Sequence, residues 1–506
     1  MPAKVFSAEL EGIDAQLIEV EVDLGVGLHS FNVVGLADKA VNEAKERVNS
    51  ALKNSAIKPP NRENRRITVN LAPAHIKKQG SQYDLAIAIG YMLATGQIKE
   101  FETQDKIFIG ELALDGRLRP IHGSLNIAEL AERLGKKFLL LPKENAAEAS
   151  VIRGVNIIPL ESLTEAVEFL EGRKEIQPEE FSPAQENRSV VTDFSEIKGQ
   201  YQAKRAALIA AAGSHNLLLF GPPGSGKSLL AQALAGILPE LSSEEAISIT
   251  KIYSAAGLSP GKLVSTRPFR SPHQTASLVS IVGGGTNPKP GEVSLAHRGV
   301  LFLDELPEFP RSILEALRAP MEAGRVHIAR AKGSLIFPAK FSLIAAMNPC
   351  PCGYYGDPEK ECRCGAYDVI RYQNKISGPL LDRIDLQVKV PRIKVNELRD
   401  KEIKEGEASA EIRIKVQTAR DIQAERFKNL KITSNAEMSS KQAEEFANTD
   451  EEAEKFLAGL DKTKISPRGY YRLLKTARTV ADLEGDTKIS AGHLAEAWGY
   501  KFKEES

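Results

Sequence analysis

The chain of 506 residues has room for two to four domains, and 42% hydrophobic with 26% charged residues is the composition of a globular protein. Lysine plus arginine (67) equals aspartate plus glutamate (67), so overall charge neither argues for nor excludes a polyanionic partner. No apolar run reaches membrane-spanning length and the N-terminus lacks a leader pattern, so no membrane partner and a cytoplasmic location are expected.

Residues 1–170 alternate helix and strand signals. Val41, Ala44, Val48 and Leu52 recur at helical spacing and predict an amphipathic helix over about 38–55. Ile67-Thr68-Val69-Asn70-Leu71 alternates with period two, the mark of a half-buried strand. Leu85, Ala86, Ala88, Ile89, Met92 and Leu93 predict a buried helix ending near Gly96. Two short runs, Lys106 to Ile109 and Arg117 to Ile121, flank Asp115-Gly116 and predict a hairpin, with Pro120 confining the second strand to a sheet edge. The stretches Gly110-Glu111-Leu112-Ala113-Leu114-Asp115-Gly116-Arg117 and Lys78-Gln79-Gly80-Ser81-Gln82-Tyr83-Asp84-Leu85 resemble the C-terminal domain of Lon-type proteases. The resemblance implies a Lon-protease-like (ribosomal S5 domain 2-like) α+β domain. The serine position of the Lon dyad falls at or near Gln82, beside Ser81, and the lysine position falls at Leu125. A serine without its base is a weak nucleophile at neutral pH, so the domain is expected not to be proteolytic. Residues 171–192, with Pro178 and Pro183 and no periodicity, predict an exposed linker.

Residues 193–395 carry the chemistry. Asn216-Leu217-Leu218-Leu219-Phe220 reads as a buried strand and Leu229 to Ala235 as a helix. Between them lies Gly221-Pro222-Pro223-Gly224-Ser225-Gly226-Lys227-Ser228. Strand, glycine-rich loop, Lys-Ser, helix is the phosphate-loop pattern: glycines let backbone N–H groups converge on phosphates, and the helix N-terminus adds its positive end. It predicts an ATP site, with Lys227 on the β- and γ-phosphates and Ser228 on Mg²⁺. Residues 265–296 read as a long irregular stretch, which in a compact domain is usually functional. Val300-Leu301-Phe302-Leu303 then delivers Asp304 and Glu305 to a strand end, Asp304 for Mg²⁺ and Glu305 as general base. Arg325 to Phe337 predicts a hairpin turning near Lys332-Gly333, with Arg330 and Lys332 at its tip. An edge hairpin carrying protective charges reads equally from those residues. Phe341 to Met347 is a further strand, ending in Asn348.

The four cysteines, Cys350, Cys352, Cys362 and Cys364, form two C-x-C pairs. Four thiolates suit a closed tetrahedral Zn²⁺ site with a structural role; an iron–sulfur cluster is the alternative. Residues 396–506 read as helical and charged. Pro467 suits a first helical position, which leaves Arg468 where the helix dipole disfavours a cation. Ser490 is the expected cap of a final helix.

Phosphate loop, Asp-Glu strand end and Asn-tipped strand together are the AAA+ pattern, in which Asn348 resembles sensor 1. Gly378-Pro379-Leu380-Leu381-Asp382-Arg383-Ile384-Asp385 resembles the arginine-finger segment, with a surface ion pair from Arg383 to Asp382 or Asp385 as the alternative. Arg270-Ser271-Pro272-His273, Val282-Gly283-Gly284-Gly285, Pro290-Gly291-Glu292-Val293-Ser294-Leu295-Ala296-His297 and Ala345-Ala346-Met347-Asn348-Pro349-Cys350-Pro351-Cys352-Gly353 narrow the match. They resemble the YifB/ComM family of magnesium-chelatase-like AAA+ ATPases. This resemblance implies an α/β AAA+ core with a helical lid over 396–506, where Arg468 resembles sensor 2. It also implies a homo-oligomer, a hexameric ring, in which Arg383 reaches a neighbour's ATP. The hairpin with Arg330 and Lys332 would grip single-stranded or branched DNA, and the output would be helicase or branch-migration activity in DNA uptake and recombination. The rival readings are a magnesium-chelatase-like subunit that remodels a protein partner and an ATP-dependent protease.

Overall fold

The computed structural model describes residues 2–62, 64–181, 192–330, 333–393, 407–460 and 465–501. They divide into two units. The first comprises Met1–Gln185, Ser243–Ser265 and Arg330–Leu335; the second comprises Glu186–Ser242, Thr266–Ala329 and Ile336–Ser506.

The first unit opens with a four-stranded sheet of β1 (Ala3–Glu11), β2 (Asp14–Val26), β3 (Ser30–Val34) and β4 (Arg65–Ala72), in the order β1-β2-β4-β3. Only β3 and β4 pair in parallel. Ile67, Val69 and Leu71 are buried while Thr68 and Asn70 are half-buried, as the period-two pattern requires. The helix expected over 38–55 is realised as Lys39–Asn42 and Ala44–Asn54, with helical backbone at Glu43 between them. Helix Asp84–Ala94 packs on β1 and β2.

The hairpin expected from 106–121 is corrected. Here β5 (Lys106–Phe108), β6 (Glu111–Leu112), β7 (Leu118–Arg119), β8 (Phe138–Pro142) and β9 (Asn156–Leu160) form two sheets. The Asp115-Gly116 turn joins β6 to β7, and β5 instead pairs in parallel with β8. Ile107, Phe108 and Ile109 are all fully buried, so this run is apolar on both faces. That suits a parallel strand, whereas a hairpin strand with one wet face would alternate.

Helix Ser243–Ala256 belongs to this first unit rather than to the second. Ile247 and Leu263 pack on a core that includes Leu125, Ile127 and Leu139. Lys251 pairs with Glu129 at 2.6 Å. The buried Glu148 carboxylate accepts from Ser124 Oγ at 2.8 Å and from the hydroxyls of Ser254 and Ser259.

The second unit contains β10 (Leu217–Phe220), β11 (Phe269–Arg270), β12 (Gly283–Gly284), β13 (Lys289–Pro290), β14 (Val300–Leu303), β17 (Ser342–Met347), β18 (Leu386–Lys389) and the greater part of β15 (Arg325–Arg330), while β16 (Gly333–Pro338) is divided, its first three residues and Arg330 being counted with the first unit. Five of these make one sheet, β11-β14-β17-β10-β18, with every pairing parallel. Leu217, Leu218 and Leu219 are each 1% exposed, and burying each contributes roughly 1.5–3 kcal/mol. Leu217 and Leu219 share a core with Val300, Phe302, Ile344, Ala346 and Leu386. The stretch 265–296 is not irregular throughout: it holds β11, the β12–β13 ladder and helices Leu278–Val282 and Glu292–Leu295.

Helices Ser409–Arg426, Ser440–Ala447, Glu451–Gly459, Pro467–Glu484 and Ala491–Gly499 follow. Pro467 is the first helical residue, Ser466 Oγ accepts from Gly469 N at 3.1 Å, and the helix stops at Gly485. Ser490 and His493 form a capping box at the last helix. Among the described residues, no helix is long and apolar enough to cross a membrane.

Candidate active site

Three parallel strands end side by side. The register sets Phe220 against Met347 and Leu303 against Ala345. The residues that follow are therefore neighbours: Gly221 after β10, Asp304 and Glu305 after β14, and Asn348 after β17. A parallel α/β sheet presents its ligand site at this carboxyl edge. The loop Gly221, Pro222, Pro223, Gly224, Ser225 and Gly226 turns into helix Lys227–Gly236, with Gly226 left-handed at φ +90°. A Cβ on Gly221 would lie 2.1 Å from Val390 O, so the loop needs glycine to lie against the backbone beyond β18. Gln200, just before helix Tyr201–Gly213, donates from Nε2 to Ser225 O at 3.2 Å and Pro391 O at 2.7 Å. Sequence reasoning missed this brace; its only signal was a polar residue after Gly199 at a helix start.

Lys227 is 8% exposed. Its Nζ donates to Gly221 O at 2.8 Å, Pro222 O at 2.9 Å and Asn348 Oδ1 at 3.2 Å. Burial pulls the ammonium down to about 8, against the opposing pull of Asp304 and Glu305. Ser228 Oγ donates to Asp304 Oδ2 at 2.7 Å. Two oxygens on an octahedral Mg²⁺ with bonds of about 2.1 Å lie about 3 Å apart, so this pair fits the ion. Asp304 Oδ1 accepts from Glu305 N at 2.9 Å, and Glu305 is left-handed at φ +51° with an exposed side chain. That backbone turns the second carboxylate away from the strand line, at a cost of order 1 kcal/mol. The arrangement can hold a triphosphate, a divalent cation and a water-activating carboxylate.

Arg383 and Arg468 form a second group. Arg383 pairs not with Asp382 or Asp385 but with Glu322, Nη2 to Oε2 at 2.5 Å, and Nη1 donates to Pro379 O at 2.6 Å. The same Glu322 oxygen lies 3.5 Å from Arg468 Nη2. Asp385 is taken by Asn216 N at 3.0 Å and by Arg472 at 3.7 Å.

The charged hairpin exists as β15 and β16, but Lys332 lies outside the described residues. Arg330 is described, and it pairs with Glu11 at the end of β1, 3.2 Å away. Near the Lon-like dyad positions, Ser81 Oγ donates to Glu111 and Gln82 Nε2 donates to Glu9 Oε2 at 3.1 Å, while Leu125 is buried. Glu9, also bonded by Tyr83 OH, is raised by burial to about 7.

Cys350, Cys352, Cys362 and Cys364 converge within 4.8 Å of one another. Three sulfur separations are 3.4, 3.5 and 3.6 Å. Tetrahedral Zn–S bonds of about 2.3 Å set sulfurs about 3.8 Å apart, so the four thiols fit zinc with little adjustment. Backbone N–H groups of Tyr355 and Cys352 point at Cys350 Sγ (3.3 Å) and Cys364 Sγ (3.4 Å), which favours thiolates.

The family described as "Magnesium chelatase, subunit ChlI" matches residues 193–398, "Subunit ChlI of Mg-chelatase" matches 20–145, and "Magnesium chelatase, subunit ChlI C-terminal" matches 406–501. Competence protein ComM of Haemophilus influenzae is 44% identical over 508 residues, covering 99% of this chain and 97% of that protein. YifB of Escherichia coli is 42% identical over 492 residues, covering 97% of this chain and 95% of YifB. The magnesium-chelatase 38 kDa subunit of Rhodobacter capsulatus is 27% identical over 327 residues, 60% of this chain and 85% of the subunit.

Proposed function

The chain belongs to the YifB/ComM family of magnesium-chelatase-like AAA+ ATPases, and we propose that it is an ATP-hydrolysing ring motor acting on DNA. One observation carries the ATPase reading: Lys227 and Asn348, 3.2 Å apart, stand at the same sheet edge as Ser228 and Asp304, 2.7 Å apart. Lys227 receives the β- and γ-phosphates, and its buried ammonium gains an anionic partner in place of two carbonyls. Ser228 and Asp304 hold Mg²⁺. Glu305 takes the proton of the attacking water, and Asn348 orients that water. Arg383 acts on the nucleotide of the adjacent subunit in a hexameric ring. Arg468, which shares Glu322 with it, goes to the same phosphate. The four cysteines hold a structural zinc.

The Haemophilus influenzae relative is named for competence, and on that ground we take single-stranded or branched DNA as the substrate and helicase or branch-migration activity as the output. The hairpin with Arg330 and Lys332 supplies sequence-independent phosphate contacts. Residues 1–170 serve as a Lon-like domain without proteolysis, since Ser81 is bonded to Glu111 rather than to a lysine. Residues 171–192 are the linker, 193–395 the core and 396–506 the lid, and the protein works in the cytoplasm.

The test is steady-state ATP turnover with and without single-stranded and forked DNA at low salt. Stimulation that fades as salt rises is the expected result. Turnover indifferent to every DNA would overturn the DNA reading. It would favour the second reading, a subunit remodelling a protein partner, for which the match to the magnesium-chelatase subunit speaks.

A further inference from the structure

We infer that the four-cysteine loop is a metal brace for the phosphate loop, so that metal on the thiolates sets the affinity for ATP. This rests on the zinc reading proposed above. Residues 351–365 contain no helix or strand, and Cys352, Cys362 and Cys364 are only half-buried. No apolar core fixes this excursion, so its shape depends on what the sulfurs bind. Three of the sulfurs, those of Cys350, Cys352 and Cys362, lie 3.4–3.6 Å apart and the fourth is within 4.8 Å, so as thiolates they repel one another unless a cation sits among them.

Two contacts carry the shape of this loop to the nucleotide site. Cys350, fully buried, follows Asn348 by two residues, and Gln373 Nε2 fixes the intervening Pro349 O at 3.0 Å. Asn348 Oδ1 in turn receives Lys227. Gly353, the residue after Cys352, is left-handed at φ +83°. A Cβ there would lie 2.6 Å from Pro223 Cδ and 3.1 Å from Pro223 Cγ. The metal knuckle therefore lies flush against the phosphate loop. Binding metal holds Pro223 and Asn348 in place, and losing it releases both.

The experiment uses the full chain and reads two quantities separately: zinc per chain by elemental analysis, and ATP affinity by calorimetry in excess Mg²⁺. One zinc per chain is expected. Chelation followed by desalting should weaken ATP binding about tenfold, and added zinc should restore it. Gly353→Ala should keep its zinc yet bind ATP about tenfold more weakly, because the new methyl displaces Pro223, with a small fall in melting temperature from alanine at φ +83°. Adding Pro223→Ala to that variant should recover part of the loss, a coupling that general destabilisation does not produce. A chain without zinc as purified would overturn the metal reading itself. A zinc-loaded chain whose ATP affinity survives both chelation and Gly353→Ala would overturn the brace alone.

Discussion

Arg383 and Arg468 share one carboxylate oxygen: Glu322 Oε2 lies 2.5 Å from Arg383 Nη2 and 3.5 Å from Arg468 Nη2. Glu322 sits on helix Arg311–Ala323, so three separate segments meet at this carboxylate. It also offsets the unfavourable position of Arg468 at the start of helix Pro467–Glu484. A shared carboxylate partner holds the two guanidinium groups near one another, which is the ground for expecting them to act on one nucleotide. Arg383→Ala and Arg468→Ala are each expected to lower turnover a hundredfold or more, roughly as for an arginine finger. Mixing Arg468→Ala chains with Lys227→Ala chains should restore part of the activity, since one partner keeps an intact loop and the other an intact Arg468. No recovery in the mixture would assign Arg468 to the nucleotide of its own chain.

Glu305 projects into solvent from a left-handed backbone, while Asp304 is engaged by Ser228. The two carboxylates therefore have separable roles. Glu305→Gln is expected to bind ATP normally and to hydrolyse it about 10²–10⁴-fold more slowly. Lys227→Ala is expected to lose binding. Calorimetry and single-turnover kinetics distinguish them, and wild-type turnover in Glu305→Gln would remove it as the base.

The parts of the site written in contiguous residues were legible in the sequence. The phosphate loop, the Asp304-Glu305 strand end and Asn348 each follow an apolar run, and a run of that kind predicts a buried parallel strand with its tip at the ligand edge. Gln200 and Glu322 were not legible, because their partners are distant in sequence. Gln200 braces Pro391, and Glu322 meets Arg383 and Arg468 only through the packing of three segments. The same holds for β5, whose Asp-Gly neighbour predicted a hairpin although its own burial on both faces demanded a parallel partner. Local turn chemistry was right about the turn and silent about which strands it joined.

Lys227 supplies a pH prediction. Burial holds its ammonium near 8 in the free site, and an anionic phosphate in contact raises that value. ATP affinity should therefore be constant below about pH 7 and fall as pH rises through 8, with proton uptake on binding in that upper range. Calorimetry in buffers of different ionisation enthalpy measures the uptake directly. Binding without uptake at pH 8.5 would mean that the free lysine is already charged.

Glu437 makes a stability prediction of the opposite sign. Burial alone would raise its carboxyl, but Arg298 at 2.7 Å and Lys340 at 2.5 Å outweigh burial and hold it at about 2. A depressed carboxylate contributes stability that is present above the unfolded value of 4.5 and is lost as pH falls toward 2. The shift is worth about 3 kcal/mol at neutral pH, at 1.36 kcal/mol per pH unit. The cations bridged by Glu437 come from two places, Arg298 just before β14 and Lys340 just before β17, so the triad ties the feet of two central strands to the segment after helix Ser409–Arg426. Glu437→Gln keeps the shape but leaves both cations without this carboxylate, and breaking a buried pair costs about 3–5 kcal/mol. The variant should melt several degrees lower at pH 7, and the gap to wild type should narrow between pH 4.5 and 2, where the native carboxyl also loses its charge. Thermal melts across that range check it; a gap that stays constant down to pH 2 would show that the loss is one of packing rather than of charge.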